Sequence, residues 1–164
     1  MASFAHPEAA IRAHEELVGY WASLRGEAPV PARGRLDPRD MTRLLPTVSL
    51  TEVLPGDAID FRIRLAGTAL YGVYGREITG KRLGEVYNSA AADYWRSELG
   101  KVVAERRPAV GVHNLAWRGA SHLSLVWIRL PMSTKGAEVD MILGYDAVLG
   151  GLSHIPSGIR PAAA

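Results

Sequence analysis

The clearest strand signal in the chain reads Ile59-Asp60-Phe61-Arg62-Ile63-Arg64-Leu65. Apolar residues occupy every second position, so they are predicted to share one buried face of a strand while the charged residues share the other. The preceding segment, residues 47–54, is rich in β-branched residues, and Pro55-Gly56-Asp57 supplies turn residues between the two segments. We therefore predict a β-hairpin.

Three further β segments close the chain, at residues 109–118, 121–132 and 138–147. The middle segment is apolar at almost every position from Leu123 to Leu130, which predicts a central strand covered on both faces. Residues 133–137 contain Gly136 and are predicted to form the hairpin loop to the last strand.

Four helices are predicted around these strands. Residues 7–25 form an amphipathic helix with Pro7 in its first turn, and Asp37 caps a short helix that follows it. Residues 67–75 form another short helix, capped by Thr68, and residues 89–106 form a longer one. The buried stripe predicted for the long helix consists of Trp95, Leu99, Val102 and Val103.

Strands and helices kept in separate runs indicate an α+β fold with an antiparallel sheet. We expect five strands in one sheet, with helices across one face and the N-terminal helix as an addition. The division is an N-terminal amphipathic helix (1–26), a core (27–148) and a C-terminal tail (149–164), whose last residues we expect to fray.

Composition excludes several classes of function. With 164 residues the chain fits one domain, and it contains no cysteine, which removes disulfides, zinc thiolate sites, iron–sulfur clusters and cysteinyl adducts. The net charge is +2 and the arginines are scattered, so we expect no nucleic-acid partner. Neither a membrane span nor a signal peptide is visible, and we expect a cytoplasmic protein.

Several short motifs, in order, point to a family. They are Gly67-Thr68-Ala69-Leu70-Tyr71-Gly72-Val73-Tyr74-Gly75, continuing through Gly80-Lys81-Arg82-Leu83-Gly84, with His6-Pro7, Tyr20-Trp21, Leu36-Asp37-Pro38 and Arg43-Leu44-Leu45-Pro46 before them and Leu130-Pro131-Met132 after them. In this order and spacing, residues 6–148 resemble the PAS domain superfamily, in particular a PAS-like bacterial family that is often stand-alone and common in alphaproteobacteria.

The resemblance implies a PAS-like five-stranded sheet and a sensory or docking role in signal transduction. PAS domains bind small molecules between sheet and helices, or bind each other and output partners through the sheet. Since no kinase, cyclase or DNA-binding segment is attached, we expect this chain to act in trans on a signalling protein such as a sensor kinase. A homodimer and a small-molecule ligand are further expectations, and no cofactor can be named.

The pocket implied by the resemblance has six candidate lining residues: Tyr74, Trp95, Leu99, His113, Trp127 and Met141. The alternative for the aromatic members is that they fill the core. A dedicated haem or small-molecule receptor is the competing function, with His113 or His122 as haem ligand, although a lone strand histidine is more often structural. His6, His14 and His154 are predicted to lie at an end of the chain or on an exposed helix.

No catalytic or metal site can be assembled from the sequence. Ser121 and His122 are adjacent on a strand and should point to opposite faces. Asp140 and Asp146 are predicted to be about 20 Å apart along the last strand, too far for an acid–base pair. A small α+β enzyme is the remaining alternative and would need His113 or His122.

The first helix supplies the candidate interaction surface, formed by Ile11, Val18 and Trp21. Because an isolated helix with this stripe is unstable unless it packs, the stripe must contact a second copy, a signalling partner or the chain's own sheet. The sequence leaves these three alternatives open.

Overall fold

A computed structural model describes residues 5–150. Its five strands form one antiparallel sheet in the order β2-β1-β5-β4-β3. The strands are β1 (Val48–Leu54), β2 (Asp60–Ala66), β3 (Ala109–Leu115), β4 (Ala120–Met132) and β5 (Met141–Gly150). The predicted α+β fold with a single sheet is confirmed.

The first hairpin carries a β-bulge that reverses the facing of its second strand. Leu65 pairs with Leu50 and Ile63 pairs with Thr51, so Arg64 is the extra residue. Phe61 and Ile63 are buried as predicted, but Leu65 is 48% exposed because the bulge turns it to the other face. Ile59 precedes β2 and is 40% exposed. The predicted common burial of all four apolar residues is therefore wrong at its two ends.

Three helices cover one face of the sheet, called here the inner face. They are α2 (Leu70–Tyr74), α3 (Leu83–Val86) and α4 (Ser89–Glu105). The Asn88 side chain caps α4 by accepting a hydrogen bond from Ala91 N (2.9 Å). The predicted stripe of α4 is buried at Trp95, Leu99 and Val102, and Val103 is half-buried.

The predicted cap at Thr68 is wrong. Helix α2 begins after Ala69 and has no side-chain cap. Backbone bonds replace it, since Gly67 N donates to Val48 O (2.8 Å) and Ala69 N donates to Pro46 O (2.9 Å). This close approach requires glycine, because a Cβ at Gly67 would lie 2.2 Å from Leu45 O.

Helix α1 (Pro7–Arg25) lies on the opposite, outer face, against β4 and β5. Trp21 Nε1 donates to Pro131 O (2.7 Å), and the rings of His14 and Tyr145 meet edge-on at 5.6 Å. The placement of His14 on an exposed helix is wrong, since it is only 4% exposed. It lies one turn from both Ala10 and Leu17, which are buried in the same contact.

The remaining predicted elements are shorter than expected or shifted. The helix after Asp37 is a 3₁₀ turn (Pro38–Met41), capped as predicted by the Asp37 carboxylate, which accepts from Arg39 N (2.9 Å). The strand predicted at 138–147 spans Met141–Gly150 because residues 133–140 form a longer loop, held by Asp140, which accepts from Thr134 N (2.8 Å). Among residues 5–150, no helix has the length and apolar character needed to cross a membrane.

Candidate functional site

A buried ion pair occupies the middle of the inner face. Arg129 lies on β4 and Asp146 on the neighbouring strand β5, and the arginine Nη1 lies 2.8 Å from the Asp146 Oδ1. Their side chains are 6% and 1% exposed. Burial lowers the pKa of Arg129, but Asp146 and the nearby tyrosines outweigh it, so the net pKa is raised and the guanidinium stays charged.

The backbone around the pair leaves room for the guanidinium. Arg129 Nη1 also donates to the carbonyl oxygens of Ile128 (2.9 Å) and Tyr145 (3.2 Å). Gly144 stands opposite Arg129 in the sheet, and a Cβ there would lie 3.0 Å from Arg129 Nη1 and 2.6 Å from Ser49 Oγ. The absence of a side chain at Gly144 is what allows Arg129 to lie over β5.

Two tyrosines form a short chain of hydrogen bonds that ends at the carboxylate. Tyr74 on α2 donates its hydroxyl to Asp146 Oδ2 (2.8 Å), and the Tyr87 hydroxyl donates to the Tyr74 oxygen (3.2 Å). Burial, followed by the charge of Asp146, raises the pKa of both tyrosines, so both remain protonated donors. The ion pair is thus tied to the helix layer through α2.

Aromatic rings enclose the guanidinium on its remaining sides. The Arg129 Cζ lies 4.7 Å from the ring centroid of Trp95 and 5.7 Å from that of Trp127. At these distances a cation–π attraction stabilises the arginine. Gly111 on β3 makes room for Trp127, because a Cβ there would lie 2.4 Å from the indole ring.

A cavity of about 20 Å³ borders the ion pair. It lies between β1, β2 and the helices, and it is lined by Ser49, Thr51, Ile63, Tyr74, Ile78, Leu83, Tyr87, Trp95, Leu99 and Arg129. A volume of this size holds about one water molecule, whereas pockets for organic ligands measure several hundred cubic ångströms. The space beside the ion pair is therefore filled by the chain's own side chains.

The structure brings four of the six predicted pocket residues together. Tyr74, Trp95 and Leu99 line the cavity, and Trp127 packs against Trp95 with ring centroids 5.2 Å apart. Tyr94 of α4 accepts a hydrogen bond from Trp127 Nε1 (3.0 Å) and so fixes this edge of the cluster.

The other two predicted residues lie outside the cavity lining. Met141 stands in register with Glu52 and Met132, on the outer face, because it begins β5 with the parity opposite to that of Asp146. It lines a separate, open pocket of about 690 Å³ together with Val53 and Val103. His113 stacks on Tyr94 (centroids 4.0 Å apart) and lines a shallow surface depression instead, and burial lowers the pKa of His113.

Neither histidine considered as a haem ligand reaches the interior. His122 is exposed on β4, and His113 is separated from the cavity by the α4 aromatics. Within residues 5–150, no group of three or more histidine and acidic side chains is placed to hold a metal ion. His154 lies outside the described residues.

The candidate interaction residues of α1 are buried or half-buried against the chain's own sheet. Trp21 is 6% exposed and bonded to the chain's own β4, so it packs within the chain. Ile11 and Val18 are half-buried beside it. Of the three alternatives left open by the sequence, the chain's own sheet receives the stripe.

Sequence reasoning did not place Arg129 or Tyr87 in the site, and it considered Asp146 only as a partner of Asp140. A signal was present, because Arg129 is the one charged residue in the apolar run of β4 and Asp146 the one charged residue in β5. Opposite charges in two neighbouring buried strands predict a buried ion pair.

The two edges of the sheet differ sharply. The β2 edge is covered by the 80–82 segment, through bonds from Ile63 N to Lys81 O (2.9 Å) and from Gly80 N to Ile63 O (2.6 Å). The β3 edge carries no charged residue, and within the described chain no backbone segment pairs with it. An unpaired, uncharged edge is a template for another strand.

Comparison with known proteins identifies the fold family. A family model described as PAS domain matches residues 10–146. The PAS domain of BvgS from Bordetella pertussis is 20% identical with a TM-score of 0.48, over 66% of this chain and 83% of that one. The PAS domain of an HTR-like protein from Haloarcula marismortui is 16% identical with a TM-score of 0.36, over 88% of this chain and 100% of that one. No curated protein matches the chain.

Proposed function

We propose a regulatory function for this chain, which belongs to the PAS domain family. It acts as a sensory and interaction module in cytoplasmic bacterial signal transduction, in trans, by contacting a signalling protein such as a sensor kinase. It is a regulator and not an enzyme.

The filled interior is the observation that carries the proposal. Arg129, Asp146 and the surrounding aromatic rings occupy the space beside the ion pair and leave a cavity of about 20 Å³ there. A PAS domain whose interior is occupied by its own side chains depends on its surface for specific recognition. Protein contact is then its main activity.

The β3 edge is the surface that we propose for this contact. Its sequence, Ala109-Val110-Gly111-Val112-His113-Asn114-Leu115, lacks the charges of β2, and within residues 5–150 it lacks a covering segment like the one beside β2. The occupant is an extended strand of the partner, added to the sheet by backbone hydrogen bonds, with apolar side chains beside Val110 and Val112. A second copy of the chain can pair at the same edge by two-fold symmetry and form a homodimer.

Two matched lysine variants test this surface. Val112→Lys places a charge on the β3 edge strand, and Leu65→Lys places one at an exposed position of the β2 edge strand. We expect Val112→Lys to abolish capture of the partner from extracts of the native host while Leu65→Lys retains it, with both variants folded by circular dichroism. Light scattering of the same variants reports on the homodimer. Loss of the partner in Leu65→Lys alone would refute the β3 assignment.

A small-molecule receptor is the second candidate, and one observation favours it. Trp95 Nε1 is buried without a hydrogen-bond partner in the described chain, and it belongs to a residue that lines the cavity. A ligand larger than water could enter only if α2 and α3 moved outward. An absorbance scan tests for haem or flavin, and native mass spectrometry tests for an uncoloured ligand.

A further inference from the structure

The small cavity beside the ion pair borders a polar group that lacks a partner within residues 5–150. Trp95 is 1% exposed, and its indole N–H is buried without an acceptor in the described residues. Ser49 and Thr51, on β1, line the same cavity and supply hydroxyl oxygens to it. A buried polar group left unpaired is costly, so the Trp95 N–H requires an acceptor.

The volume restricts what that partner can be. A site of about 20 Å³ exceeds the space that a water molecule requires and is far below that of any organic ligand. The charge restricts it further. Arg129 is already neutralised by Asp146 at 2.8 Å, so an added anion would leave a net charge in the interior, and a cation would be repelled by the guanidinium.

We propose that this cavity binds one water molecule as a permanent part of the fold. The water oxygen accepts the hydrogen bond of Trp95 Nε1–H, and its two protons are donated to the hydroxyl oxygens of Ser49 and Thr51. It therefore connects β1 of the sheet to α4 of the helix layer. A buried water with about three hydrogen bonds is typical of globular proteins.

This water would contribute to keeping the interior closed. Within the described chain, Arg129, Asp146 and Tyr74 tie β4 and β5 to α2, but no side-chain hydrogen bond ties Ser49 or Thr51 to α4. The water supplies that link on the β1 side. The inference is independent of which protein the chain contacts, because it concerns the interior alone.

The test combines a high-resolution crystal structure with NMR of the whole chain. We expect a single density peak in the cavity at hydrogen-bond distance from Trp95 Nε1, and a water-to-indole cross-peak of the sign produced by a long-lived water. An empty cavity in a map that orders other buried waters, together with no cross-peak, would overturn the proposal. Density for a larger molecule would overturn it as well.

An isosteric pair of variants assigns the partner. Thr51→Val removes one hydroxyl from the cavity, whereas Thr42→Val removes an exposed hydroxyl that donates to Arg39 O (2.9 Å). The Trp95 cross-peak is expected to be lost or weakened in Thr51→Val and unchanged in Thr42→Val. Equal cross-peaks in both variants would contradict the role of Thr51 in holding the water.

Discussion

Breaking the buried ion pair is expected to destabilise the fold far more than breaking a surface pair. In Arg129→Met, Asp146 remains 1% exposed and loses the cation at 2.8 Å. Leaving one charge of a buried pair uncompensated costs about 3–5 kcal/mol. This is a large part of the roughly 5–15 kcal/mol that stabilises a typical domain. Arg107→Met is the matched control, because its partner Glu105 is 55% exposed, and it is expected to cost less than about 1 kcal/mol.

A double-mutant cycle isolates the interaction between the two charges. Asp146→Asn keeps an oxygen that can accept from the Tyr74 hydroxyl but removes the charge that balances Arg129. The double variant with Arg129→Met buries neither charge, so it should cost less than the sum of the single variants by about 0.5–3 kcal/mol.

The assay is urea unfolding followed by tryptophan fluorescence. Trp95 and Trp127 both contact the guanidinium and report the loss of this packing. If Arg129→Met does not fold, Asp146→Asn can be compared with Arg107→Met instead, because it also removes one charge of the buried pair. The reasoning is refuted if Arg129→Met and Arg107→Met cost the same, or if the cycle is additive.

Two further substitutions test the packing described above. Burial, with a smaller contribution from Arg129, lowers the pKa of His14 from 6.5 to about 4. The free energy of unfolding is therefore highest above pH 6.5 and falls by about 3 kcal/mol toward pH 4. His14→Phe should flatten this slope in urea titrations at several pH values, and parallel curves for both proteins would contradict the burial of a neutral His14. Gly144→Ala brings a methyl group within 2.6 Å of Ser49 Oγ and should lower the free energy of unfolding by about 1–3 kcal/mol in urea or thermal unfolding. The control, Gly100→Ala within α4, meets no atom within 4 Å and should raise that free energy by about 0.5–1 kcal/mol. Equal effects of the two substitutions would refute the close approach at Gly144.

The order of elements could be predicted because local patterns determine it. Alternation at residues 59–65 and the stripe of α4 each indicate one kind of element with one buried face, and the apolar run of β4 indicates a strand buried on both faces. The resemblance to PAS domains predicts that these elements form one sheet with helices across it, and the structure has this arrangement.

What failed depends on contacts between elements distant in sequence. The bulge at Arg64 is set by pairing with β1, and it exposes Leu65 against the alternation. His14 is buried because the sheet lies under that side of α1, and Met141 faces outward because of its register with Met132. Single-segment patterns contain no information on these registers.

Several of the apolar and aromatic residues of the candidate site were predicted from the sequence, whereas its two charged residues were not. Trp95, Leu99 and Trp127 follow from buried stripes, whereas Arg129 and Asp146 are stable in the interior only because each neutralises the other. That condition depends on the register of β4 against β5, which the predicted hairpin between them does not specify.

Native mass spectrometry of the protein purified from its own host tests the central claim most directly. A closed interior and a function by protein contact predict the bare chain of 17.7 kDa, or that chain with a protein partner or a second copy, and no retained small molecule. A monomer that carries an organic molecule, released on denaturation, would contradict the account.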